Sequence, residues 1–178
     1  MKKENNIIYN IVIVSLFAAI IVISAWISFP FGSIPITLQT LAVFTAGALL
    51  GFKRGFATIT LYIMLGIVGL PVFHGFTGGP GMLMGSTGGF IWGLLFSVIV
   101  IAALYNKNVH GIKRLALALL IAQIVCYICG TAWFCFVYAK GQGIIGAFFV
   151  TVVPFLLPDA LKIFATVFLV KRVAKYVK

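Results

Sequence analysis

Asp159 and Lys162 are the residues best placed to do chemistry, and they stand three apart in Pro154-Phe155-Leu156-Leu157-Pro158-Asp159-Ala160-Leu161-Lys162. The chain has only two acidic residues in 178, and the other, Glu4, lies in a polar leader. Asp159 falls between the apolar runs Gly143–Leu157 and Ile163–Val170, which places it inside a membrane. An i, i+3 spacing puts carboxylate and ammonium on one helical face, close enough to pair. A charge at the bilayer centre costs about 2.5–3.5 kcal/mol on insertion scales, so such groups face a partner or a wet cavity. Pro158 suits the first position of a helix, and Asp159 then lies in the first turn, where free N–H groups and the helix dipole favour an anion. Two readings follow: a structural ion pair, or one wall of a polar ligand site. The second accounts better for charges at that depth.

The rest of the chain must position this pair in lipid. It is 63% hydrophobic and 8% charged, which excludes a soluble domain and predicts several apolar crossings. At about 20 residues per crossing, roughly six helices are the ceiling, leaving no room for a soluble catalytic domain. The expected architecture is an all-α integral membrane protein, one membrane domain over residues 1–178. Its six helices fall at about 7–28, 36–52, 55–72, 88–105, 115–137 and 158–171. The first run is longer than the 7–15 residues of a signal peptide core, so it is expected to be retained. Prolines and a glycine in Phe29–Pro35 break it. Phe73–Thr87 is a glycine-rich loop without Lys or Arg. Pro154 and Pro158 divide the last apolar stretch into a short segment, Ile144–Val153, and the final helix. Irregular backbone at membrane depth belongs where it lines a cavity or is buried in protein.

A net charge of +11 would suggest nucleic acid in a soluble protein, but here the basic residues flank apolar runs. Eleven of thirteen fall in four places: Lys2 and Lys3; Lys53 and Arg54; Lys107, Lys113 and Arg114; Lys171, Arg172, Lys175 and Lys178. The alternate loops hold only Lys140, so the positive-inside rule predicts both termini in the cytoplasm, and the helix carrying Asp159 starts on the outer side. Small residues spaced by four, Gly47, Gly51 and Gly55, then Gly89 and Gly93, would let helices approach closely.

Enzymatic chemistry is poorly supported. His74 stands alone in the outer loop, and His110 lies in an inner basic one. Cys126-x-x-Cys129 has no second pair or nearby histidine to complete a zinc site, so it reads as packing. The glycines around Gly78-Gly79-Pro80-Gly81 lack the G-x-x-x-x-G-K-[ST] pattern of a phosphate cradle. They could serve tight turns and close approach to a ligand, or plain flexibility. A channel would need polar residues at several depths on several helices. The outer half instead offers one ion pair, the polar groups of Thr37, Gln39, Thr40 and Thr77, and aromatics such as Trp92 and Tyr127. That set suits a small organic ligand with an apolar body and a few hydrogen-bonding groups. No cofactor is called for.

Pro35-Ile36-Thr37-Leu38-Gln39-Thr40-Leu41-Ala42-Val43 resembles the biotin-binding S components, the BioY family, of energy-coupling factor transporters. The likeness continues through Gly47-Ala48-Leu49-Leu50-Gly51, Gly66–Phe73, Gly85–Phe90 and Tyr127-x-x-Gly130-x-x-Trp133, and ends at Asp159-x-x-Lys162. The resemblance implies a six-helix capture subunit that binds biotin outside. It also implies a partner module of one transmembrane scaffold and two ATPase subunits. Asp159 and Lys162 would contact biotin, with Gln39, Thr77, Gly78, Gly79, Gly89, Trp92 and Tyr127 around the pocket. Ser15 and Ala19 are the nearest small pair on the first helix for docking on the scaffold. Where the family often has Pro-Gly before the aspartate, this chain has Leu157-Pro158, and its outer half has no arginine for the biotin carboxylate.

Overall fold

The computed structural model describes residues 2–30, 34–109, 111–138 and 143–177, with side chains from residue 7 onward. His110, Lys140 and the middle of the Pro30–Pro35 break lie outside the described residues, as do the side chains of Lys2, Lys3 and Glu4. The chain is mostly helical. In order it forms α1 (Lys2–Trp26), β1 (Ser28–Phe29), β2 (Ile36–Thr37), α2 (Gln39–Ile67), α3 (Pro80–Met84), α4 (Gly88–Leu104), α5 (Ile112–Trp133), α6 (Ile144–Thr151) and α7 (Leu156–Val173).

Among the described residues, four helical runs are long and apolar enough to cross a membrane: Ile7–Trp26, Gln39–Ile67, Ile112–Tyr138 and Ile144–Val173. Gly88–Leu104 is a shorter apolar helix. Large apolar side chains point outward on several of them, including Ile11, Leu16, Ile124, Ile128, Phe164 and Phe168. Oil-facing exteriors of this kind describe a multi-pass membrane protein. Several hydroxyls at helix depth are satisfied by their own helices, while Thr60 Oγ1 and Tyr62 OH on α2 are buried without a partner among the described residues. Thr45, Thr58, Thr151 and Thr166 each donate to the carbonyl four residues back, which pairs these four in an apolar setting.

Gly51 folds α2 on itself. Its φ of 71° is outside the helical range and in the region that favours glycine. A Cβ added at Gly55 would lie 3.3 Å from the Gly47 Cα, whereas eight residues of straight helix span about 12 Å. The expected second and third helices are therefore the two arms of a tight hairpin that bends at Gly51 and packs at Gly47 and Gly55. Gly89 and Gly93 do the same for α4 and α5: a Cβ at Gly89 would sit 2.1 Å from the Trp133 Cβ, and one at Gly93 3.1 Å from the Cys126 Cα. Ser97 adds an interhelical bond to the Ala122 carbonyl at 2.8 Å.

Several expected boundaries move. Ile36 and Thr37 belong to a two-stranded ribbon with Ser28 and Phe29, not to the second helix, which starts at Gln39. The third helix stops at Ile67 rather than residue 72, because Gly69 takes φ 101° and turns the chain. The glycine-rich stretch contains a 3₁₀ turn at His74–Phe76 and the short α3, in which Pro80 takes the first turn. The fifth helix starts at Ile112 and ends in a π turn, Phe134–Tyr138. The last helix starts at Leu156, two residues earlier than expected. Pro158 is thus its third residue, not its first, still within the turn whose N–H groups need no partner.

The core lies where α1, α2, α4, α5 and α7 meet, around Tyr62, Phe44, Phe73, Ile59 and Leu119. One end of this bundle gathers basic residues. Arg54 stacks over the Tyr9 ring, and the Lys107 ammonium donates to the Val177 carbonyl at 2.5 Å. Partial burial, and secondarily the nearby Arg54, lower the Lys107 pKa.

Candidate functional site

The first turn of α7 aims Asp159 into the bundle, where it is 5% exposed, and Lys162 beside it is 7% exposed. The Lys162 ammonium donates to Asp159 Oδ1 at 2.7 Å. Two more donors reach the other carboxylate oxygen from α5: Gln123 Nε2 at 2.8 Å and the Tyr127 hydroxyl at 2.7 Å. A buried ion pair persists only when its remaining lone pairs are served, and here three donors serve one carboxylate. The break before α7 makes this possible. Val152 leaves the helical region, the 3₁₀ turn Val153–Phe155 follows, and α7 begins at Leu156, which puts Asp159 in its first turn, where the helix dipole favours an anion.

The pair lies on the wall of a cavity between α2, α4, α5 and α7, with Phe73 and His74 also lining it. Its atom-free space is about 620 Å³ counted out to the open mouth, and about 70 Å³ admits the centre of a water molecule. The enclosed part is well below the roughly 300–1,000 Å³ of small-molecule sites, so the walls are close together. Phe90, Ile91, Leu94 and Phe155 supply apolar surface. Three buried polar atoms on the lining have no hydrogen-bond partner among the described residues: Gln39 Nε2, His74 Nε2 and Gln123 Oε1. Such atoms cost about 1–3 kcal/mol each when left unmet, so a group that met them here would be favoured. His74 lies in the loop, outside the membrane-spanning helices, and burial lowers its pKa so that the neutral imidazole is favoured.

Of the expected site residues, the structure brings Asp159, Lys162, Gln39 and Tyr127 together on the cavity wall, with Thr37 and Thr40. Thr77, Gly78, Gly79, Gly89 and Trp92 are not on that wall. Thr77 donates to the His74 carbonyl at 2.8 Å, and a Cβ at Gly78 would overlap the Leu70 carbonyl oxygen at 2.2 Å. Gly79 takes φ 94° and donates to the Gly66 carbonyl at 2.7 Å, closing the loop's base. Gly89 meets Trp133, and Trp92 packs beside the core. These residues hold the loop and the α4–α5 contact that frame the site. Gln123 and His74 are members of the wall that sequence reasoning did not select. An amide in the middle of an apolar helix was the available signal for the first.

The loop over the cavity is anchored at three points. Trp26 Nε1 donates to the Pro71 carbonyl at 2.8 Å, Trp133 Nε1 to the Gly85 carbonyl at 3.0 Å, and the Phe73 ring fills the gap left by Gly66. Ser15 and Ala19 lie on the exposed side of α1, opposite the buried Phe17, Ala18 and Ile21.

Known proteins resemble this chain in sequence and fold. The BioY family profile matches residues 1–178. A probable biotin transporter BioY of Pyrococcus horikoshii is 36% identical over 160 residues, covering 90% of this chain and 93% of its own. The biotin transporter BioY of Rhodobacter capsulatus is 33% identical over 182 residues, covering 94% of each. The crystal structure of the S-component for biotin from an ECF-type ABC transporter superposes with a TM-score of 0.88 at 26% identity, covering 96% of this chain and 93% of that one. The chain belongs to the BioY family.

Proposed function

We propose that this chain is the biotin-binding S component of an ATP-driven vitamin uptake transporter in the cell membrane. The observation that carries the reading is the buried Asp159–Lys162 pair, set in a cavity whose lining also presents unpartnered amides. Biotin offers a cyclic urea, with two N–H donors and one carbonyl, on an apolar bicyclic body. Lys162 uses one of its three N–H groups on Asp159, so two remain for the urea carbonyl. Gln39 Nε2 is a further donor, and Asp159 Oδ1 retains a lone pair for a urea N–H.

In this reading the arms of the α2 hairpin, α1, α4, α5 and the α6–α7 unit make six crossings, with both termini in the cytoplasm. The clustering of Arg54, Lys107 and the C-terminal segment at the end of the bundle where α1 begins supports that orientation. The cavity then opens outward. A transmembrane scaffold and two ATPase subunits supply the energy, and α1 docks on the scaffold through Ser15 and Ala19. The test is titration of the purified chain with biotin in detergent, beside uptake of labelled biotin by liposomes with and without the partner module and ATP. Saturable binding by the chain alone, and uptake only with partners and ATP, are expected. No binding would overturn the reading.

A further inference from the structure

We infer that Gln123 is a specificity residue of the pocket: its side-chain oxygen accepts one of the two urea N–H groups, and Asp159 accepts the other. This rests on the biotin reading and assigns a partner to each N–H. The accounting starts at Asp159. Its Oδ2 already takes Gln123 Nε2 at 2.8 Å and the Tyr127 hydroxyl at 2.7 Å, which fills both in-plane lone pairs of that oxygen. Its Oδ1 takes Lys162 Nζ at 2.7 Å and keeps one lone pair. The carboxylate can therefore accept one further donor without giving up a contact, and a cyclic urea brings two.

The second acceptor is next to it. A carboxylate only accepts, so the Gln123 amide must turn its NH₂ toward Asp159 and its oxygen away. That oxygen is buried without a partner among the described residues, in a residue 6% exposed that lines the cavity. Leaving a buried amide oxygen unpaired at membrane depth is unfavourable, and a ligand N–H relieves it. Gln123 thereby has two tasks. Its NH₂ fixes the Asp159 carboxylate, and its oxygen selects a donor. A site that pairs a ligand N–H with a buried polar group rejects analogues lacking that N–H far better than an apolar wall does.

The experiment is a binding cycle in detergent between wild type and Gln123→Leu, using biotin and its two mono-N-methylated ureas, each of which lacks one N–H. Biotin is expected to bind Gln123→Leu about tenfold more weakly, in line with loss of one buried hydrogen bond. In wild type both methylated ureas bind at least about tenfold more weakly than biotin. In the variant the methylation penalty at one nitrogen falls below about threefold, because leucine accepts a methyl group, while the penalty at the other stays. Equal penalties in both proteins, or biotin affinity within about twofold of wild type, overturn the assignment. A wild-type protein that binds no biotin overturns the underlying reading instead. If the leucine variant does not purify as a single species, Gln123→Asn, whose shorter amide withdraws the oxygen, is measured against the same criteria.

Discussion

The Tyr127 hydroxyl donates to Asp159 Oδ2 across 2.7 Å, joining positions 32 residues apart on α5 and α7. Tyr127, Gln123 and Lys162 all point donors at one carboxylate, so the carboxylate is the hub of the site. In Asp159→Asn an NH₂ replaces one acceptor oxygen and faces a donor, while Lys162 stays buried without its anion. A hydrogen bond from a urea N–H to the carboxylate is charge-assisted, and losing it costs about 1.5–3 kcal/mol, a roughly 10- to 150-fold loss of biotin affinity. The variant is expected to insert and purify as wild type does. Calorimetry in detergent checks this, and unchanged affinity would refute it.

The Asp159–Lys162 pair was legible because few residue types survive at membrane depth and an i, i+3 spacing admits one geometry. The α2 hairpin was half legible. Lys53-Arg54 marked the end of one arm, but that the arms pack through Gly47 and Gly55 depends on the φ of Gly51. The β1–β2 ribbon was hidden, since two residues per strand carry no periodicity and Pro30 and Pro35 read only as breakers. Gln123 was missed because its importance lies in a partner 36 positions away.

The loop between α2 and α4 is expected to close further over bound biotin. In this state the cavity is tight, the Phe73 ring plugs the space beside Gly66, and the loop is pinned through Trp26 and Trp133. Gly79 takes φ 94° with nothing within 4 Å of a Cβ built there, so a side chain would meet strain in the backbone rather than a clash. A β-branched residue at such a φ costs about 1–3 kcal/mol. Gly79→Val should weaken biotin binding by roughly 5- to 150-fold or slow its association. Hydrogen exchange in residues 73–87 should fall with saturating biotin, and equal exchange in both states would exclude closure.

His74 gives the protein a pH-dependent stability. Burial lowers its pKa from the usual 6.5, so between pH 6.5 and the lower folded value the unfolded chain holds the proton and the folded chain does not. Stability therefore rises with pH through that window and is lost as the medium is acidified. His74→Asn, which cannot titrate, should show a shallower decline in melting temperature between about pH 7 and pH 5. Parallel declines in the two proteins would remove His74 from the account.

Orientation can be read chemically. With Cys126, Cys129 and Cys135 replaced, a cysteine introduced at Lys3 should resist a membrane-impermeant thiol reagent in intact cells and react once the cells are opened. Four basic clusters assigned to one side underlie this expectation. Labelling in intact cells would reverse the topology and turn the cavity inward.

Coupling to an energy source is expected to pass through the exposed side of α1. The chain lacks a phosphate-binding pattern, and Asp159 is the single acidic residue beyond the N-terminal leader, so a proton relay across the membrane would have one station. Ser15 and Ala19 are small and exposed one turn apart, on the face opposite the buried Phe17, Ala18 and Ile21. Small residues let another helix come close, where van der Waals packing drives association in lipid. Replacing both with phenylalanine should hold that helix away while the pocket, on the other side of the bundle core, is untouched. Biotin affinity is expected to stay within about threefold of wild type, and ATP-driven uptake with the partner module to fall at least about tenfold. Uptake at the wild-type rate would show that docking uses another face. Concentrative uptake by this chain alone under a proton gradient would show that the energy does not come through docking at all.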